Sequence, residues 1–228
     1  PTGPNIALDQ IDSVSCFNGV DGNIFLTVTT VNNPPVFAWQ TVTTGSPTNS
    51  EDLQNVNAGT YSITVTDNLG CVSGQTYTVY EPNDFTISSN VVDLTCNNDS
   101  TGSIDLTVSG GTTNYNYSWT GPNGFTSTDE DLNALIAGSY QITGSDNNGC
   151  IIPATIIDIT EPTAIGITLS ATPTDCDQPS GSITIVGNGG SVATDYTYEL
   201  TDLAGTLISS SNLTSSLDVG QYLSLIHI

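Results

Sequence analysis

Apolar and polar residues alternate with a period of two in short runs along the chain. Ile24, Leu26 and Val28 fall on one face of such a run, as do Ile104, Leu106 and Val108, and then Ile183 and Ile185. Tyr61, Ile63 and Val65 alternate in the same way, and so do Tyr115, Tyr117 and Trp119. Alternation puts successive side chains on opposite faces, the signature of strands with one buried face. Turn signals such as Asp21-Gly22 and Gly110-Gly111 separate the runs. The pattern predicts roughly seven short strands per 80 residues, an immunoglobulin-like β-sandwich.

The runs recur. Cys16, Cys96 and Cys176 follow one another at intervals of 80 residues, and Trp39 and Glu81-Pro82 return at Trp119 and Glu161-Pro162. Ala58-Gly59-Thr60-Tyr61 returns one residue early as Ala137-Gly138-Ser139-Tyr140, and Asp67-Asn68-Leu69-Gly70-Cys71 as Asp146-Asn147-Asn148-Gly149-Cys150. One deletion between Trp119 and Ala137 explains the slip. Self-similarity at a fixed period is the mark of a repeat array. The expected division is 1–81, 82–161 and 162–228, all-β throughout, as tandem immunoglobulin-like sandwiches of about 80 residues. The Ala-Gly-x-Tyr element resembles a tyrosine corner, whose hydroxyl bonds back to the chain.

In the third copy Tyr198 is read at the tryptophan position, and Val219-Gly220-Gln221-Tyr222 as the tyrosine-corner element. The stretch 223–228 departs from the repeat and is read as foreign to it, so no weight falls on His227. Pro1 stands where the proline of a Glu-Pro junction would be, which predicts an internal piece of a longer array. The five cysteines fit this reading: Cys16 is expected to pair with Cys71 and Cys96 with Cys150, leaving Cys176 with a partner outside the sequence. Loops of some 55 residues closed in this way would stabilise each copy by about 4 kcal/mol. With no CxxC pair, a disulfide framework is preferred to metal ligation, and it implies an oxidising, extracytoplasmic setting.

Composition supports strands over helices: 22 Gly, 11 Pro, no Met and 36% apolar residues, enough to fill several small cores. Charge changes the picture more. The chain has 23 Asp and Glu, no Lys or Arg, and a formal net charge of -23. Every carboxylate must therefore find water, a backbone donor or a cation. Nucleic acid and anionic membrane surfaces are excluded as partners because both need Lys or Arg. Lysine-dependent chemistry, isopeptide crosslinks included, is excluded too, and trypsin has nothing to cut. No run reaches the apolar length of a membrane helix, so no membrane insertion is expected.

The second copy carries a more specific likeness. Cys96-Asn97-Asn98, the run Gly102-Ser103-Ile104-Asp105-Leu106-Thr107-Val108-Ser109-Gly110-Gly111, Tyr115-Asn116-Tyr117-Ser118-Trp119 and Gly121-Pro122-Asn123-Gly124-Phe125 together resemble the SprB-type repeat. Asp131-Leu132, Leu135 and the tyrosine and second-cysteine elements extend the resemblance. Copy one departs from it by replacing Gly-Gly with Asn32-Asn33-Pro34-Pro35. The resemblance implies a long surface adhesin of the Bacteroidetes, located outside the cell or on its outer surface.

Calcium is the expected cofactor, since hard cations take carboxylate and carbonyl oxygens and would relieve self-repulsion along a fibre. The candidate ligands are Asp67 and Asp146 in the turns, Glu81 and Glu161 at the junctions, and Asp12 and Asp93 ahead of the first cysteines. Glu51 and Asp52, mirrored by Asp129, Glu130 and Asp131, form a second group. The competing reading is turn chemistry, in which Asp before Asn-x-Gly caps its own backbone. If the family resemblance holds, Asp12-Ser13-Val14 and Asp99-Ser100-Thr101 match a bacterial O-glycosylation motif, making Ser13 and Ser100 the candidate modified residues. The sequons at Asn98, Asn116 and Asn212 are weaker candidates. Trp39 and Trp119 could stack sugars, but alternation turns them inward. No nucleophile and base pair, and no phosphate loop, supports catalysis. The expectation is a structural repeat segment of an adhesin or matrix fibre, partnered by neighbouring repeats or copies of itself and by extracellular polysaccharide. The alternatives are a glycan-binding adhesin module and the accessory stalk of a carbohydrate-active enzyme.

Overall fold

A computed structural model describes residues 3–31, 34–41, 49–173, 181–191, 196–210, 213–217 and 222–227. Asn32, Asn33, Cys176, Asn212 and 219–221 lie outside the described residues. The first copy contributes β1 (Asn5–Asp12), β2 (Gly22–Thr29), β3 (Val36–Thr41), β4 (Leu53–Val56), β5 (Gly59–Thr66) and β6 (Val72–Val79). They form two antiparallel sheets, β1-β2-β4 and β3-β5-β6. The second copy contributes β7 (Thr86–Val92), β8 (Gly102–Ser109), β9 (Asn116–Thr120), β10 (Thr126–Ser127), β11 (Leu132–Leu135), β12 (Gly138–Ser145) and β13 (Ile151–Ile159). Its sheets are β7-β8-β11 and β10-β9-β12-β13. The third contributes β14 (Thr163–Thr172), β15 (Gly181–Gly190), β16 (Thr197–Asp202), β17 (Leu207–Ser209), β18 (Leu213–Leu217) and β19 (Tyr222–His227), in sheets β14-β15-β18 and β17-β16-β19. The strands that the copies share stand in the same order in each, and that order is the one of an immunoglobulin-like sandwich.

Alternation explains which faces are buried. Trp39 with Ile24, Leu26, Tyr61, Ile63 and Val65 fills the first core, and Trp119 with Ile104, Leu106, Tyr140 and Ile142 fills the second. Trp39 and Trp119 are 0% and 1% exposed, so they are core residues and not sugar platforms. Each satisfies its indole N–H inside the fold, on the carbonyls of Ser50 (3.0 Å) and Asp129 (2.9 Å). The tyrosine corner is present in both copies: Tyr61 donates to Asn57 O at 2.8 Å and Tyr140 to Ile136 O at 3.0 Å.

One expectation for the third copy is corrected. Trp39 pairs with Ile63 and Trp119 with Ile142, each two residues beyond the corner tyrosine, and the matching partner of Ser224 is Leu200. Leu200 is 1% exposed, so it holds the tryptophan position, and Tyr196 and Tyr198 correspond to Tyr115 and Tyr117. The two tyrosine pairs have the same geometry, with ring centroids 6.3 Å apart in each. The stretch that departs from the repeat motif forms a strand: Tyr222–His227 pairs with β16 as β5 pairs with β3. Strand pairing requires an extended backbone with no motif residues, and that stretch supplies it.

Candidate functional site at the repeat junctions

The first-cysteine loop and the second-cysteine turn lie at opposite ends of each of the first two sandwiches. Val14 N–H bonds Tyr80 O at 2.8 Å, placing the Cys16 loop beside the end of β6, whereas Asp67 N–H bonds Cys71 O at 3.0 Å just before that strand starts. Eight strand residues separate the two ends, about 26 Å at 3.3 Å per residue. A disulfide needs Cα atoms within about 7 Å. The expected pairs Cys16 with Cys71 and Cys96 with Cys150 are therefore corrected: Cys16 bonds Cys150 across the boundary between the first two copies, with Cα atoms 5.6 Å apart. Cys71 and Cys96 are free thiols, the first half-buried and the second exposed.

The signal that could have revealed this is the parity of strand crossings. Between Cys96 and Cys150 the chain crosses the sandwich five times, along β8 to β12, and an odd count ends on the opposite side. The crossing that decides the parity is β10, whose two residues are too short to show alternation.

The linker between the copies is seated by the backbone. Gly111 N–H bonds Asn83 O at 2.8 Å. A Cβ on Gly110 (φ +92°) would lie 2.1 Å from Asp84 O, and one on Gly111 (φ +57°) would meet the Phe85 ring at 2.6 Å. Both glycines are thus required by their left-handed backbone and by the close passage of the linker. The next junction repeats the device, with Gly189 (φ +82°) against Ala164 O at 2.0 Å. The junction glutamates hold the first-cysteine loops: Glu81 accepts from Asn18 N–H at 2.6 Å, and Glu161 from Asn98 N–H at 2.5 Å. Asn97 donates to Pro162 O at 3.0 Å. Across the first junction, Asn148 Nδ2 donates to Ser15 O at 3.2 Å.

The other acidic candidates also meet donors within the protein. Asp67 Oδ1 accepts from the N–H groups of Leu69 and Cys71, and Asp146 Oδ1 from those of Asn148 and Cys150, all at 2.9 Å. Asp146 Oδ2 accepts a further bond from Thr112 N–H at 2.7 Å. Burial alone would raise the Asp146 pKa, but these backbone bonds outweigh it and hold the carboxyl below its ordinary value. Asp21 is also held low, first by its bonds to Ser15 beside the bridge.

Asp52 and Asp131 each accept a backbone N–H, from Leu26 and Leu106, at 2.9 Å. There β4 and β11 have already parted from β2 and β8, and the carboxylate replaces the missing strand partner. Glu51 accepts from Val28 N–H at 2.5 Å, and Glu130 from the Tyr117 hydroxyl at 2.8 Å. Burial, then this bond, raises the Tyr117 pKa. Asp93 accepts from Thr160 N–H at 2.7 Å and Asp129 from Ser127 Oγ at 3.0 Å. Asp12 accepts from Gln10 Nε2, and from Asn23 Nδ2 at 3.3 Å. Among the described residues no group of three or more His, Cys, Asp or Glu comes together as a metal cage. Ser13 and Ser100 are exposed in the loops flanking Cys16 and Cys96.

No curated protein matches the sequence. Solved structures resemble the chain at low identity. The N-terminal eight immunoglobulin domains of the Down syndrome cell adhesion molecule match at 13% identity and a TM-score of 0.43, covering 97% of this chain and 36% of that one. Immunoglobulin domains 1–5 of Sidekick-1 match at 13% and 0.40, covering 100% and 53%. A tetra-tandem repeat from the extending region of a large adhesion protein matches at 15% and 0.29, covering 100% and 66%. Over residues 88–124 the chain matches the family model described as the SprB repeat, the family that the motifs of the second copy resemble.

Proposed function

We propose that this chain is a non-enzymatic, load-bearing segment of a surface-exposed adhesin or extracellular fibre, in which stacked sandwiches act as a stiff spacer. The observation that carries the reading is the junction itself, where a covalent bond joins adjacent repeats and a glycine pair seats the linker. A disulfide implies an oxidising compartment outside the cytoplasm. A spacer that must transmit force gains from a covalent path across the boundary where noncovalent contacts are few.

Calcium is part of the proposal. The support is electrostatic: a charge of -23 with no Lys or Arg repels itself along a fibre, and divalent cations near the carboxylates lower that repulsion. Glu51 and Asp52, with Ser50 and Gln54, line an open depression that carries two carboxylates. Small-angle scattering and thermal melting with millimolar calcium, then with excess EDTA, test this element. Calcium should raise the melting temperature and lower the spread of end-to-end dimensions, and EDTA should reverse both. Indifference to both reagents in low-salt buffer would refute the calcium element and leave the spacer reading to the scattering profile alone.

A further inference from the structure

The junction bond has two halves, and each half occurs twice among the described residues. One half is a turn with the second cysteine at its end. Around Cys150, Asp146 N–H bonds Cys150 O at 3.0 Å, Gly149 N–H bonds Asp146 O at 3.1 Å, and Gly149 has φ +82°. Around Cys71 the same bonds measure 3.0 and 3.0 Å, with Gly70 at φ +84°. The other half is the first-cysteine loop. Asn18 has φ +59° and its N–H meets the junction glutamate at 2.6 Å; Asn98 has φ +58° and meets its own at 2.5 Å. Cys16 and Cys150 have found each other, while Cys71 and Cys96 hold the same two conformations without a partner.

We infer that Cys71 and Cys96 are half-rungs of a disulfide ladder running along the array: the Cys71 turn takes the first-cysteine loop of a preceding SprB-type repeat, and the Cys96 loop takes the second-cysteine turn of a following one. The occupant is set by the closed rung, because the bonded junction identifies what docks on each half. Leu69 occupies the place from which Asn148 touches Ser15 in the closed junction, yet it is 69% exposed. With Val31 and Val36, both exposed at the same end of the sandwich, it leaves apolar surface beside the Cys71 turn. Closing a rung removes one proton and one electron from each thiol as the S–S bond forms. A disulfide oxidant, acting by thiol–disulfide exchange, takes up both electrons and both protons and leaves as two thiols. The ladder rests on the stacking in the proposed spacer but is separable from it, since sandwiches can stack with these thiols reduced.

A fusion tests both half-rungs together. Residues 1–161 are joined ahead of the complete chain, so that Glu161 of the first block meets Pro1 of the second and a Glu-Pro junction is restored. After equilibration with reduced and oxidised glutathione, disulfides are mapped by mass spectrometry following pepsin digestion, with the unmodified chain mapped in parallel. The expected result is Cys16 bonded to Cys150 within each block, and Cys96 of the first block bonded to Cys71 of the second. Cys71→Ser in the second block should restore one titratable thiol, at Cys96, and leave both Cys16 to Cys150 bonds intact. Cys96 and Cys71 remaining free while those bonds form would overturn the ladder, and so would Cys16 to Cys71 pairs in either protein. Scattering from the same fusion reads the stacking separately, because an extended particle with unpaired thiols refutes the ladder and keeps the spacer.

Discussion

Asp146 shows what a carboxylate does in a chain that offers no basic side chain to pair with it. It is 2% exposed, and its two oxygens collect three backbone N–H groups, from Asn148, Cys150 and Thr112. The first two bonds form the turn that presents Cys150 to Cys16; the third ties that turn to the Gly-Gly loop under the linker. Asp146→Ala strands those donors, and at roughly 1–3 kcal/mol for each unsatisfied group the second copy should lose about 3 kcal/mol, read by denaturant unfolding. Asp146→Asn keeps an acceptor and should lose less than half as much. Because the carboxyl is held below its ordinary value, its contribution is complete above the unfolded pKa near 4 and is lost as pH falls through the lower folded value. The destabilisation from Asp146→Ala should therefore shrink in strong acid. The Asp-x-x-Gly turn was legible in the residues, since Asp bonds its own backbone two residues on. Whether its second oxygen faced a cation or Thr112 was not, because Thr112 is 34 positions away and only the folded loop brings it near.

At the scale of elements, periodicity of two located the strands that carry the cores, and the glycine pairs marked turns. Alternation did not reveal how often the chain crosses the sandwich. Thr126–Ser127 is enough to reverse direction and change the end at which the next cysteine emerges. An 80-residue spacing is equally compatible with bonds inside a copy and bonds between copies, so repetition alone left the pairing open. Tyr198 was misplaced for a related reason: a two-residue offset keeps a side chain on the same face, so parity cannot distinguish it from Leu200. Gly110 and Gly124 separate the two costs a glycine can hide. Gly124 (φ +77°) has open space around an added Cβ, whereas Gly110 would drive one into Asp84 O. Gly124→Ala should cost about 1 kcal/mol, the price of left-handed backbone. Gly110→Ala adds a backbone clash that only linker movement relieves, and should cost about 3 kcal/mol or more. Equal melting temperatures for the two variants would show that the linker does not rest on this turn.

For the whole molecule, the consequence of the Cys16 to Cys150 bond is that two sandwiches with separate cores share one covalent constraint. The bond spans 134 residues, and in the chain-entropy account closing a loop of that length stabilises the linked pair by about 5 kcal/mol. Neither core contains the bond, so cutting it should leave both sandwiches folded and remove their coupling. Calorimetry of the oxidised chain should show the first two copies melting together. With a phosphine reductant their transition should fall in temperature and split, while the transition of the third copy stays in place. Cysteine variants make the assignment specific. Cys16→Ser and Cys150→Ser should each reproduce the reduced profile, and combined they should do no more than either alone, because each removes the same bond. Cys71→Ser should leave the oxidised profile unchanged. A bond inside the first copy would reverse that order, with Cys16→Ser matching Cys71→Ser and Cys150→Ser affecting only the second copy.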